Sequence, residues 1–277
     1  MRRLNALRFV TLSLLVGFVF CLAKISTCEA EPKLSNPTTK NVSQTEIKMR
    51  QIFNPTVYVG DRNGSGSGVL FYKKPLDTNP PTYQYFVLTN NHVVKDIPTR
   101  ELVAVDGLRG RAFYRTFPNP VHVVIFKNCG SQHYRHYGSV VAKSEELDLA
   151  VVMFQSTDSS FSTMLFAPKE NDSVNIFDEV YLSSCQLGDI PSVTVGILSS
   201  IVLVNNNVVQ YKSDCGIAPG SSGGGLFKKF GNNYAVIGIA QGMGYGSQLF
   251  SHIGYFIPIQ KITDFLDTNC LEYHVVN

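Results

Sequence analysis

From residue 56 onward, apolar residues fall in short runs, many alternating with polar ones, and Gly, Pro, Asn and Asp separate the runs. Examples are Thr56–Val59, Gly68–Tyr72, Tyr85–Thr89, His122–Phe126, Leu149–Phe154, Glu179–Ser183, Thr194–Leu198, Val208–Lys212 and Ala235–Gln241. Short β runs with frequent turn residues predict an all-β sandwich or barrels. Asp158–Lys169, with Ser, Thr and Pro, predicts a connection between two β halves. Helical patterning stands only at the two ends. Ser43-Gln-Thr-Glu46 has the form of a capping box opening a short helix through Phe53, with Pro55 to close it. After Pro258, residues Ile259, Ile262, Phe265 and Leu266 share one helical face. No internal repeat of 20–50 residues is visible.

The N-terminus has its own pattern. Arg2, Arg3 and Arg8 lead into an uncharged, largely apolar run of 15 residues, Phe9–Ala23, and small residues follow up to Ala30. A bilayer span needs about 20 residues, so a signal peptide over 1–30, cleaved after Ala30, is expected. The alternative is an uncleaved signal anchor that tethers the protein to a membrane. The expected location is secreted or periplasmic, with no stable membrane association after cleavage. Residues 31–47 form the linker or N-terminal segment.

That segment also explains the charge. The formal net charge is +3, but residues 1–30 hold four of the 24 basic and one of the 21 acidic residues, leaving twenty of each. A neutral remainder gives no electrostatic case for nucleic acid or anionic lipid as a partner. Hydrophobic content of 44% against 16% charged suits a chain with a real core. Export would also remove Cys21 and Cys28. Cys129, Cys185, Cys215 and Cys270 remain, an even number that permits disulfides in three connectivities.

Gly220-Ser221-Ser222-Gly223-Gly224 is the sharpest chemical signal. A serine nucleophile must expose its oxygen at a tight turn beside backbone N–H groups, and glycines allow the dihedrals and the close approach. Taken alone the motif fits chymotrypsin-like peptidases, the elbow of α/β-hydrolases or a plain Ser/Gly turn. Chain order decides. An α/β-hydrolase places its acid and His after the Ser, and only 55 residues follow Ser222. Here His92, delivered by the run Phe86-Val-Leu-Thr-Asn-Asn-His-Val-Val94, and Asp148, opening Leu147-Asp-Leu-Ala-Val-Val152, both precede it. Glu145 and Glu146 are competing carboxylates.

The chain resembles the peptidase domain of HtrA-type (DegP-like) trypsin-fold peptidases. The resemblance rests on Gly66-Ser-Gly-Val69, Leu88-Thr-Asn-Asn-His-Val-Val94, Asp148-Leu-Ala-Val151, Val193-Thr-Val-Gly-Ile-Leu-Ser199, Gly220-Ser-Ser-Gly-Gly224, Ile237-Gly-Ile239 and Ile253-Gly-Tyr-Phe-Ile-Pro258. These occur in the family's order over roughly residues 45–266. The resemblance implies two six-stranded antiparallel β-barrels with short N- and C-terminal helices and the site between the barrels. The peptidase domain would span 48–270, with a first barrel over about 50–157, a second over about 169–258 and a C-terminal helix over about 258–269. It implies a serine endopeptidase with Ser222 as nucleophile, His92 as general base and Asp148 orienting the His, and no cofactor or metal. The N–H groups of Gly220 and Ser222 would hold the oxyanion. Gly216 would lie at the base of the S1 pocket, with Ile239, Ala240 and Gln241 lining it. No acid stands at that base, and Asp214 falls outside it, so small or medium apolar residues would precede the cut.

Departures from the family's pattern narrow what is carried over. Ser221 stands where trypsin-type zymogens have an Asp, so activation through that salt bridge is not expected. The His92–Asp148 interval is long for the family, which suggests an insertion within 97–137. The chain stops at Asn277 with no PDZ domain expected, and an oligomer is implied by family analogy only. Cys185 and Cys215 are either a disulfide or two buried free thiols. Cys129, His133 and His136 are spaced too loosely to predict a metal site. The rival to a peptidase is a catalytically inactive or latent peptidase-fold binding protein.

Overall fold

The computed structural model describes residues 42–60, 64–95, 121–169, 173–205, 207–245 and 249–276, and the backbone of 99–106 and 111–117. The expected signal peptide and residues 31–41 lie outside the described residues.

Fifteen strands are described. In chain order they are β1 (Thr56–Gly60), β2 (Ser65–Leu76), β3 (Thr82–Thr89), β4 (Thr99–Asp106), β5 (Arg111–Phe117), β6 (Val121–Lys127), β7 (Gln132–Ser144) and β8 (Leu149–Ser156). They continue as β9 (Leu165–Phe166), β10 (Glu179–Ser184), β11 (Ser192–Val204), β12 (Asn207–Ser213), β13 (Gly225–Phe230), β14 (Asn233–Tyr245) and β15 (Leu249–Pro258). Helix α1 (Gln44–Lys48) and helix α2 (Ile259–Thr268) flank them.

Two closed antiparallel barrels result. The first runs β1-β2-β3-β8-β7-β6, closed by β1 pairing with β6. The second runs β13-β10-β11-β12-β15-β14, closed by β13 pairing with β14, and β9 adds to β14 in parallel. The expected insertion reduces to β4 and β5, which pair with each other outside the first barrel, whereas β6 and β7 are barrel strands.

The period of two in a strand explains why the central runs are apolar on both faces. In β2, Leu70 joins the interior of the first barrel, with Val57, Tyr85, Val87, Val152 and Phe154. Its neighbours Val69 and Phe71 point the other way and join the cluster that fills the second barrel, with Leu182, Leu226, Phe227, Ile237 and Phe256. Leu88 and Val151 do the same from β3 and β8. The barrels are thus joined by one continuous apolar contact, and the polar ends of β3 and β8 emerge at its rim.

The termini fasten the pair. Ser43 caps α1 by accepting from Glu46 N–H, 3.1 Å, and a π-helical turn carries the chain on to Phe53. Gln51 in that turn accepts from Tyr234 N–H and donates to Asn233, each 2.8 Å. Helix α2 buries Ile259, Ile262, Phe265 and Leu266. Beyond it the backbone of Val276 donates to Phe166 and that of His274 accepts from it, 2.8 Å each.

Candidate active site

The run that forms β3 ends at Thr89, and Asn91–Val93 make one 3-10 turn. Val93 and Val94 are buried in the first barrel, which turns the His92 side chain outward, 48% exposed. The residue before β8, Asp148, holds this turn from below. Its carbonyl accepts from Asn91 N–H, 3.1 Å, and from Asn90 Nδ2, 3.0 Å. Its carboxylate accepts from His92 N–H, 3.0 Å, and meets His92 Nδ1 at 2.8 Å. Asp148 takes φ of 53°, a left-handed conformation that Asp tolerates better than most residues. Neither Glu145 nor Glu146 meets the ring; Glu145 O accepts from Asp148 N–H, 3.3 Å. An ionised carboxylate can only accept, so Nδ1 is the donor in this pair, and in the neutral ring Nε2 is left with the lone pair.

The loop before β13 is held by its peptide planes. A trans peptide points its C=O and N–H in opposite directions, so fixing a carbonyl also fixes the next amide. Pro219 O accepts from Leu187 N–H, 2.6 Å, and Gly220 O from Ser67 Oγ, 2.7 Å. Ser221 O accepts from Gly224 N–H, 2.9 Å, and Ser222 O from Ser67 N–H, 2.7 Å. Of the amides, Ser221 N–H donates to Ala218 O and Gly223 N–H to Ala240 O, 3.0 and 2.8 Å. The N–H groups of Gly220 and Ser222 are left without an acceptor among the described residues. Two glycines are obligatory. Gly220 has φ of 90° and a Cβ there would stand 2.7 Å from Cys185 O; Gly223 has φ of 88° and a Cβ would stand 2.0 Å from Ser67 O.

One cavity of about 510 Å³ is lined by both His92 and Ser222. Ile217, Ala218, Pro219 and Met243 give it apolar walls, with Ser221, Gln241 and Gly242 completing it and no carboxylate among them. The Ser222 hydroxyl donates to Gln241 O at 3.4 Å. Of the expected pocket residues, Gln241 lines this cavity. Ile239 and Ala240 are buried in the second barrel instead, and Gly216 lies outside the lining with its carbonyl taken by Thr194 Oγ1 and Gln186 Nε2, 2.9 and 3.0 Å. Ile217, Pro219 and Met243 were not expected from the sequence. Asp214 is engaged elsewhere, accepting from Ile197 N–H at 2.6 Å.

Of the two readings of Cys185 and Cys215, the structure has the free thiols. Cys185 and Cys215 are buried free thiols, and Cys129 and Cys270 are exposed free thiols. Cys215 Sγ approaches Val180 O at 3.6 Å and burial pushes both buried thiols up, so they act as small inert hydrophobes. Cys129, His133 and His136 do not converge: no three His, Cys, Asp or Glu side chains gather at one point among the described residues. His136 stacks on Phe154 instead, ring centroids 4.6 Å apart, and burial lowers its pKa.

Comparison with known proteins agrees with the two-barrel fold. A solved structure of Deg5 superposes with a TM-score of 0.55 over 80% of this chain and 91% of its own, at 18% identity, which shows the shared fold. The human peroxisomal leader peptide-processing protease is 32% identical over 130 residues, or 44% of this chain; the match spans 22% of that protein's length. The profile of the trypsin-like peptidase domain matches residues 66–239, a stretch that starts at Gly66 in β2, contains His92, Asp148 and Ser222 and ends in β14. With two barrels and a site of this order, the chain belongs to the trypsin-like peptidase family.

Proposed function

We propose that this chain is a serine endopeptidase that cuts polypeptides after small or medium apolar residues through an acyl-enzyme. One observation carries the reading: His92, already tied to Asp148, and Ser222 line the same cavity. As the Ser222 oxygen bonds the peptide carbonyl carbon, His92 Nε2 takes its proton and then gives it to the departing amine. Asp148 holds the ring's tautomer and stabilises its cation. The carbonyl's electron pair moves onto its oxygen, where the free N–H groups of Gly220 and Ser222 receive it. Water then repeats the sequence to release the acid. The apolar walls and the lack of a carboxylate support the specificity. The N-terminal pattern supports export.

The test is a fluorophosphonate probe followed by peptide mapping, with Ser222→Ala beside it. The expected result is one adduct, on Ser222, absent from the variant. A folded protein that takes no adduct across neutral pH overturns the reading. It would favour a second one, a latent or binding-only form, which the bond from Ser222 Oγ to Gln241 O supports because that hydroxyl is not directed at His92.

A further inference from the structure

We propose that Ser67 is a positioning residue for the oxyanion donors: its buried hydroxyl pins the peptide that follows Gly220 directly and, through the turn Cys185–Gly188, the peptide that carries Gly220 N–H. The inference rests on Ser222 being the nucleophile and adds a residue from the opposite barrel that does not itself line the cavity.

Ser67 is fully buried on β2 of the first barrel, yet three of its four hydrogen bonds cross to the second. Its N–H donates to Ser222 O at 2.7 Å. Its Oγ donates to Gly220 O and accepts from Cys185 N–H, 2.7 Å each. Its carbonyl accepts from Thr89 Oγ1, also 2.7 Å, which anchors it within its own barrel.

A hydroxyl has one proton to give, and this one spends it on the peptide that follows Gly220. The bond it accepts secures the start of the turn Cys185–Gly188. That turn presents Leu187 N–H to Pro219 O, and so holds the peptide that precedes Gly220. One side-chain oxygen therefore governs both planes flanking Gly220, one directly and one through the turn. Gly220 needs outside control. Without a Cβ and at φ of 90°, its own backbone does not select between two peptide orientations. The flipped orientation would put a carbonyl where an amide donor is required. Leu187 sits at φ of 57° with its apolar side chain 78% exposed, so its own packing does little to hold the turn.

Because the oxyanion exists only along the reaction, an effect on its donors falls on the chemical step and spares substrate binding. Ser67→Ala and the nearly isosteric Ser67→Cys, whose thiol is a weak donor, are therefore compared with wild type by steady-state cleavage of one peptide. The expected loss in kcat is about 10- to 100-fold, below the ~10²–10³-fold of deleting an oxyanion donor outright. KM stays within about twofold. Thr56→Val is the structural control: Thr56 is as buried, its hydroxyl donates to Ile52 O and lies 2.7 Å from Ser183 Oγ, and it is expected to lose stability with kcat unchanged. Folded Ser67 variants with wild-type kcat overturn the proposal. So does a loss carried by KM, an equal loss in Thr56→Val, or failure of both Ser67 variants to fold. A wild type that cleaves nothing defeats the nucleophile reading itself, and this inference with it.

Discussion

The two barrels supply their halves of the site by different means. The first holds His92 with side chains, since the Asp148 carboxylate grips both the ring and the backbone of His92. The second presents Ser222 on fixed peptide planes: four consecutive carbonyls are pinned, two of them by Ser67 of the first barrel, and two amides remain over. A half built from side chains tolerates backbone adjustment but fails when one functional group changes. A half built from peptide planes is indifferent to most side chains and fails when a Cβ is added. Ser67 and its neighbours are where the two methods meet.

The largest test acts on the side-chain half. Asp148→Asn preserves shape but turns a carboxylate that only accepts into an amide that also donates, which favours the wrong ring tautomer. The expected loss in kcat is about ten-thousand-fold, or ~5.5 kcal/mol of barrier, with the thermal midpoint little changed. A variant retaining a tenth of wild-type kcat would remove Asp148 from the mechanism.

Next comes the main-chain half. Gly223→Ala adds a Cβ 2.0 Å from Ser67 O at φ of 88°, so both contact and conformation oppose it. Overpacking and left-handed strain together are expected to cost about 3 kcal/mol or more of folding stability, read as a lower denaturant midpoint. Wild-type stability would mean that the loop is not held as described. A smaller effect is expected at the cavity wall. Met243 is 9% exposed and faces the cavity. Met243→Ala is expected to shift preference toward larger apolar residues before the cut by roughly tenfold in kcat/KM. An unchanged cleavage profile would place the specificity pocket elsewhere.

Much of the fold could be read from the chain because burial on one or two faces leaves a period. The runs that became β1, β3, β8 and β10 are of this kind, and so are the Ser43 cap and the apolar face of α2. Strand β7 was hidden because its outward residues from Gln132 to Ser139 are mostly polar, and its inward Gly138 is small to admit Val152. Within the site, His92, Asp148 and Ser222 carry short motifs, and the structure brings them to one rim. The cavity walls carry none. Offsets from Ser222 pointed to Ile239 and Ala240, but the strand's alternation and a register shift between Ala240 and Gly242 bury both and present Gln241 to Met243 instead. Ser67 could not be found this way, since its partners lie 118 and 153 residues away.

The smallest test asks whether a side-chain anchor of the first barrel can be cut without touching the site. Asp158 lies just beyond β8, where the chain leaves the first barrel. Its carboxylate accepts from Lys127 Nζ at 2.6 Å, and from Ser160 N–H and Oγ at 2.9 and 2.6 Å. Burial alone would raise its pKa, but these bonds outweigh it and hold the group at about 2 against an ordinary 3.8. A depressed folded-state pKa contributes stability that is complete above 3.8 and is lost as pH falls toward 2. The side chain is 33% exposed, so solvent screening reduces the contribution to about 1 kcal/mol. Asp158→Asn is therefore expected to lower the urea midpoint at pH 7, to match wild type near pH 2, and to leave kcat unchanged. A gap that persists at pH 2 would assign the loss to packing instead of charge. A fall in kcat would show that the first barrel's outer anchors reach His92, and that its half of the site is less local than the bonds to Asp148 make it.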